Sequence, residues 1–91
     1  MIYNIKITAT VEKNVAKWKK SNPLLHKKFK KILLELIEHP RTGTGHPEPL
    51  KGGHDITWSR RLSAHDRIIY EIYDDVVTVL VIQVGGHYAD K

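Results

Sequence analysis

One segment has the strongest helical period of the chain and limits the folds open to it. Across residues 25–37, apolar side chains recur every three or four positions, while lysines occupy much of the remaining surface. This spacing predicts an amphipathic helix whose apolar stripe must be covered by other parts of the chain. Asn22 and Pro23 suit its start, and His39 and Pro40 its end. The apolar positions are Leu25, Phe29, Ile32, Leu33, Leu36 and Ile37.

Weaker patterns before this helix predict a strand and another helix. Alternation across residues 2–7 favours a short first strand. Thr8 or Thr10 can then cap a helix that runs to about Lys20 and ends near Ser21. The chain therefore begins with one strand followed by two helices.

The C-terminal half reads as a loop followed by antiparallel strands. Residues 40–55 contain three prolines and four glycines, which predicts a loop that carries Glu48. Strands are expected at residues 56–62, 67–73 and 76–84, joined by short turns. The last is almost entirely apolar and is expected in the middle of the sheet. Trp58 and Tyr70 occupy alternating strand positions and are expected to pack in the core and not to stack on bases.

These elements predict an α+β fold with a single domain over residues 1–91. Its two N-terminal helices are expected to pack on one face of a small, mainly antiparallel twisted sheet. A single core of this size gives modest stability, so a partner or a second copy that adds buried surface is expected to help.

The charge balance and the residue types missing from the chain narrow the functional classes. Fifteen Lys and Arg against ten Asp and Glu give a net charge of +5, which favours phosphate-rich or acidic partners. The absence of cysteine excludes disulfides, thiolate catalysis and thiolate zinc sites. His46, His54, Asp55 and His65 lack the spacing of a metal site, so no metal or cofactor is expected. The N-terminus has no secretory leader, which favours a cytoplasmic protein without membrane association.

Three side chains in the second half have the chemistry needed to cleave RNA through its own 2′-hydroxyl. Glu48 can take the hydroxyl proton, His87 can protonate the departing oxygen, and Arg67 can stabilise the negative charge of the phosphorane. Taken singly, each has an ordinary interpretation. Glu48 would be a solvated loop residue, His87 a polar chain end, and Arg67 a surface partner of Glu71 or Asp66.

The motifs around these residues favour the catalytic interpretation over the ordinary one. PEPLK, WSRRL, HDRIIYEI and a terminal HY follow one another in an order and spacing that resemble the YoeB/Txe branch of the RelE/ParE toxin superfamily. The resemblance implies a RelE-like fold and a metal-independent endoribonuclease that cuts mRNA on the ribosome as the toxin of a type II toxin-antitoxin system. It also implies neutralisation by a cognate YefM/Axe-like antitoxin, and a homodimer is a further expectation.

The resemblance assigns roles to individual residues. It makes Glu48 the general base, Arg67 the phosphate-binding residue and His87 the general acid, with Tyr88 as the terminal aromatic of the site. It places Lys51, Arg60 and Arg61 among the residues that contact RNA. Many relatives carry an Arg and an aromatic residue before the HY pair, where this chain has two glycines, residues 85–86.

Two other functions fit the same superfamily. A ParE-like toxin would inhibit DNA gyrase without cutting RNA, and a non-catalytic protein would bind the ribosome or RNA alone. The PEPLK and HY segments favour the nuclease.

Overall fold

A computed structural model describes residues 2–86, which form two helices and five strands. The helices lie between the first strand and the other four, as the sequence predicts. The elements are β1 (Asn4–Ile7), α1 (Ala9–Ser21), α2 (Pro23–Glu38), β2 (Glu48–Pro49), β3 (Thr57–Arg61), β4 (Arg67–Tyr73) and β5 (Thr78–Gly85).

Short polar side chains begin both helices. Thr8 Oγ1 accepts a hydrogen bond from the Val11 backbone N at 3.3 Å, and Asn22 Oδ1 accepts one from the Leu25 N at 3.3 Å. Each side chain satisfies a backbone donor that the helix itself cannot. Pro23 occupies the first turn of α2, where its missing N–H costs nothing. The predicted helix boundaries are confirmed.

The five strands form one sheet in the order β1-β5-β4-β3-β2. β1 pairs in parallel with β5, and all other pairs are antiparallel. The predicted meander of β3, β4 and β5 is confirmed, but two details of the prediction are wrong. Glu48 lies in the two-residue strand β2, paired with Ser59, and not in an irregular loop. β5 lies between β1 and β4, so β4 is the middle strand.

Both helices cover one face of this sheet. Ile32 and Leu36 of α2 are completely buried, as are Ile68 and Tyr70 of β4, and all four belong to one apolar cluster. Burying a side chain of this size contributes roughly 1.5–3 kcal/mol, so the apolar stripe of α2 fixes the helix layer on the sheet. Trp18 packs edge-on against Phe29, with ring centroids 6.2 Å apart.

A buried arginine fastens the α2–β2 connection to the sheet. The Arg60 guanidinium has five N–H donors, and the structure gives five acceptors for them. Nε donates to Tyr70 Oη at 3.1 Å. One terminal nitrogen donates to Glu35 Oε1 at 2.8 Å and to the Thr44 carbonyl, and the other donates to the His39 and Thr42 carbonyls. The segment that leads to Glu48 is therefore tied to β3 from inside the molecule.

Glu35 completes this network from α2. Its carboxylate accepts hydrogen bonds from Thr44 Oγ1 at 2.6 Å and from Thr44 N at 2.8 Å, besides that from Arg60. Partial burial by itself would raise the pKa of Glu35. The hydrogen bonds from Thr44 and the charge of Arg60 outweigh burial and leave that pKa below its ordinary value of 4.5. Glu35 is therefore held as a carboxylate.

Candidate active site

The sheet face opposite the helices carries the candidate site. Along β4, Ile68 and Tyr70 point into the helix-covered core, so by alternation Arg67 and Ile69 point to the other face. Two rows of paired residues cross that face. One runs through Glu48, Ser59, Ile69 and Gln83, and the next through Arg61, Arg67 and Gly85. Cross-strand pairing thus brings side chains from four strands together on a surface free of helices.

Glu48 and Arg67 meet across these two rows. Arg67 Nη1 lies 3.7 Å from Glu48 Oε1, and the two side chains are 38% and 62% exposed. An ion pair this open to water contributes little to stability, so both groups stay accessible to a ligand. The ordinary alternatives for Arg67, pairing with Glu71 or Asp66, are not what the structure shows, since its described ion-pair partner is Glu48.

Arg61 adds a second guanidinium to this surface. It is exposed at the end of β3, directly opposite Arg67 on β4. Both arginines line a cleft of about 490 Å³, whose other lining residues are Gly86 and residues 63–66 of the β3–β4 turn. Two arginines in one cleft, of which Arg67 is paired with the Glu48 carboxylate, suit a phosphodiester whose neighbouring hydroxyl must lose a proton.

The prediction that Arg60 contacts RNA is wrong. Its side chain is completely buried, and all five of its donors are used inside the protein. Because strand residues alternate between faces, Arg60 points into the core while Arg61 points to the site. The WSRR motif therefore contains one structural and one surface arginine.

The other predicted site residues divide into two groups. Lys51 is exposed in the turn after β2, and no described hydrogen bond or ion pair connects it with Glu48 or Arg67. His87 and Tyr88 lie outside the described residues, so their predicted roles stay predictions. The last described residues, Gly85 and Gly86, lie beside Arg67, the first as its cross-strand partner and the second in the same cleft.

Sequence reasoning missed three features near the site. Ser59, the cross-strand partner of Glu48, is buried, and its hydroxyl has no hydrogen-bond partner within residues 2–86. The sequence could have indicated this, because Ser59 stands two residues before Arg61 and alternation along a strand places both on the same face. His65 lines the cleft, and a second cavity lined by Lys28 and His46 adjoins it. Lys28 and His46 belong to none of the motifs that carry the resemblance, and His65 begins the HDRIIYEI motif without an assigned role.

The described part of the chain contains neither a candidate metal site nor a candidate membrane-spanning helix. Residues 2–86 contain no group of three or more His, Cys, Asp or Glu side chains placed to hold a metal ion. Neither helix is long and apolar enough to cross a membrane.

Comparison of the sequence with known proteins finds toxins among its relatives. Toxin YoeB of Streptomyces coelicolor is 32% identical over 71 residues, which cover 78% of this chain and 82% of the relative. Toxin YoeB of Escherichia coli K12 is 31% identical over the same shares of both chains. The mRNA interferase toxin RelE of E. coli K12 is 31% identical over 81% of this chain and 75% of the relative.

Solved structures show the same fold. The YoeB/ParE toxin from Agrobacterium tumefaciens superposes with a TM-score of 0.83 at 28% identity, covering 93% of this chain and 99% of the other. A YoeB dimer from Staphylococcus aureus gives 0.81 at 21% identity, with 97% and 100% coverage, which supports the fold alone. The model of the YoeB-like toxins of bacterial type II toxin-antitoxin systems matches residues 8–88. The chain therefore belongs to the family of YoeB-like toxins of type II toxin-antitoxin systems.

Proposed function

We propose that this toxin is a ribosome-associated endoribonuclease that cleaves mRNA by general acid–base attack of the 2′-hydroxyl. The observation that carries the proposal is the pairing of Glu48 with Arg67 at 3.7 Å on a sheet face free of helices. These residues are distant in sequence, and the pair contributes little to stability. A role in binding and reaction explains their arrangement better than a structural role.

The proposed reaction uses these groups in order. Glu48 takes the proton of the 2′-hydroxyl, whose oxygen then attacks the adjacent phosphorus. Arg67, with Arg61 beside it, stabilises the negative charge that gathers on the phosphorane oxygens. His87 protonates the departing 5′-oxygen, which leaves a 2′,3′-cyclic phosphate and a 5′-hydroxyl. The roles of His87 as acid and of Tyr88 as a stacking surface rest on family resemblance.

Substrate is proposed to complete the site. In the free protein the Glu48 carboxylate faces the Arg67 guanidinium, which competes with a hydroxyl proton for that carboxylate. An RNA phosphate that binds Arg67 would draw the guanidinium away and free Glu48 to act as a base. Message positioned on the ribosome should therefore be cut faster than short free RNA. Equal rates on the two substrates would rule out this step.

The proposed partners follow from the family. A S. aureus relative has been solved as a complex of YoeB with YefM, and another structure is a YoeB dimer. We expect this toxin to be neutralised by a cognate YefM/Axe-like antitoxin and to form a homodimer when free. Gel filtration with multi-angle light scattering, with and without a purified YefM-like antitoxin, tests both.

Cleavage of message on translating ribosomes tests the proposed activity. Glu48→Gln, Arg67→Ala and His87→Gln should each slow cleavage by about 10² or more, as expected when an acid, a base or a charge-stabilising donor is lost. Glu38→Gln makes the same chemical change at an exposed position at the end of α2 and should cut at the wild-type rate. Normal cleavage by all three site variants would eliminate the mechanism.

A further inference from the structure

The cleft at Arg61 and Arg67 continues into a second cavity around the β3–β4 turn. This neighbour has a volume of about 350 Å³ and is lined by Lys28, Gly45, His46 and residues 61–64. Arg61, Ser63 and Ala64 line both spaces. A ligand that is bound at the Glu48–Arg67 pair and extends past Arg61 towards α2 would therefore reach the second cavity.

The lining of the second cavity suits a phosphate. Lys28 and Arg61 bring positive charge and His46 brings an imidazole, whereas the Ser63 hydroxyl is already used within its own turn. None of the described residues that line this cavity carries a carboxylate. Lys28 is half-buried, unlike its exposed neighbours Lys27 and Lys30 on the same helix, so part of its side chain packs against this surface beside the cavity.

The backbone that presents His46 is fixed in an uncommon conformation. Gly45 has φ +87°, its carbonyl accepts the Arg61 N–H at 2.7 Å, and a Cβ there would lie 2.5 Å from the Arg61 carbonyl oxygen. His46 follows with φ +52°, a region that costs a non-glycine residue free energy and is concentrated at functional sites. The preceding Thr44 is held by Glu35 and Arg60 from inside the molecule. The cavity wall is therefore preorganised.

The groove formed by these two cavities could accept a nucleic acid or an acidic peptide, and the charge of its lining distinguishes between them. Beyond Lys28 the surface continues to an exposed Leu24 flanked by Lys27 and Lys31, a combination that an acidic amphipathic peptide would also fit. Among residues 2–86, those that line the two cavities nearest the Glu48–Arg67 pair are mainly cationic or polar, and Asp66 is the one carboxylate. Asp66 accepts a hydrogen bond from Ser63 at 2.9 Å within its own turn. These features favour the phosphate backbone of a single-stranded nucleic acid.

We propose that the cavity formed by Lys28, His46 and Arg61 is a second phosphate subsite, which binds the RNA phosphate next to the scissile one. The proposal rests on the proposed function for its choice of substrate. It adds a recognition site outside the Glu48–Arg67 pair and assigns roles to Lys28 and His46, two residues without a part in the acid–base chemistry.

Binding of an RNA that cannot be cleaved tests the subsite separately from catalysis. The probe is a fluorescein-labelled, fully 2′-O-methylated single-stranded RNA of ten nucleotides, titrated by anisotropy at several salt concentrations. Each phosphate contact with single-stranded nucleic acid contributes about 0.7 to the slope of log affinity against log salt. Lys28→Met, which keeps the apolar stem, should flatten the slope by about 0.7 and weaken binding roughly fivefold near 0.1 M salt.

Matched variants separate a site from a diffuse positive surface. Lys30→Met removes the same charge from an exposed position of α2 that lines none of these cavities and should change affinity less than twofold. Lys28→Arg should restore binding. His46→Asn should weaken binding more than twofold, whereas His54→Asn, at a residue with the same φ of 52° outside the groove, should not.

The outcomes distinguish this proposal from the proposed nuclease. Loss of affinity in Lys28→Met but not in Lys30→Met supports the subsite even if the toxin fails to cut message. Equal effects of the two lysine variants overturn it. Unchanged RNA binding by Lys28→Met, together with weaker binding of a synthetic acidic amphipathic peptide, also overturns it and assigns the groove to a protein partner.

Discussion

Replacing Arg60 tests whether the WSRR motif divides its two arginines between structure and function. Arg60→Met fills a similar volume but removes all five donors from a fully buried position. Breaking a buried ion pair by removing one partner typically costs about 3–5 kcal/mol. Because the Glu35 side chain is 24% exposed and regains some hydration, the lower part of that range applies, about 3 kcal/mol.

This loss is large compared with the stability of a chain of this length. At about 0.05–0.15 kcal/mol per residue, 91 residues give a free energy of unfolding of roughly 5–14 kcal/mol. A loss of 3 kcal/mol lowers Tm by at least about 12 °C in a domain of this size. Urea unfolding followed by the fluorescence of Trp18 and Trp58 measures the change.

The neighbouring residue supplies the control. Arg61→Met removes an identical group from an exposed position, so it should change the free energy of unfolding by less than about 0.5 kcal/mol. It should nevertheless weaken RNA binding at unchanged stability, whereas Arg60→Met can affect binding only by loosening the 42–44 segment that its network holds. Equal stability losses in the two variants, or a loss below 1 kcal/mol for Arg60→Met, would refute the assignment.

Three further predictions concern the surroundings of the site. Folding lowers the pKa of Glu35, so its contribution to the free energy of unfolding is complete above pH 4.5 and is lost as the pH falls through the lower folded pKa. Between pH 7 and pH 3.5 the urea midpoint of Glu35→Gln should therefore fall less than that of the wild type. An equal fall would contradict this prediction. Gly45→Ala combines strain of the left-handed backbone with a close contact at the Arg61 carbonyl. Gly52→Ala adds only strain, because no atom of the described residues lies within 4 Å of a Cβ there. Calorimetry should show a greater loss of Tm for Gly45→Ala, and the reverse order would count against the close approach at Gly45. Ser59→Ala removes a buried hydroxyl without a described partner and should stabilise by about 1 kcal/mol with cleavage intact; a fall in cleavage would instead give that hydroxyl a part in the reaction.

The fold follows from local patterns that the sequence displays openly. The period of α2 and the alternation of β3 each reflect burial of one face, and the asparagine before Pro23 accepts a hydrogen bond from a backbone N–H of the first turn, so all three are visible in the local sequence. β2 was missed because two residues carry no period, and its pairing with β3 depends on the buried Arg60 network that holds the preceding segment. The same network explains the error at Arg60, since a buried arginine is recognised only when its acceptors are known.

The sequence predicted which residues form the site but not how strand pairing brings them together. Sequence motifs selected Glu48 and Arg67, but their 3.7 Å approach depends on β2 pairing with β3 and β3 with β4 in one register. Lys28 and His46 come from α2 and from the connection after it, and only the packing of the helix layer beside the β3–β4 turn reveals the cavity they share. Long-range packing of this kind leaves no local pattern in the sequence.

A single atom of the substrate tests the proposed chemistry most directly. Message bound to translating ribosomes is prepared with a 2′-deoxynucleotide on the 5′ side of the cleaved bond, beside an otherwise identical all-ribose message. If Glu48 activates the 2′-hydroxyl, the deoxy message stays intact while the ribose message yields a 2′,3′-cyclic phosphate. Cleavage of both messages at the same position and rate would contradict the mechanism.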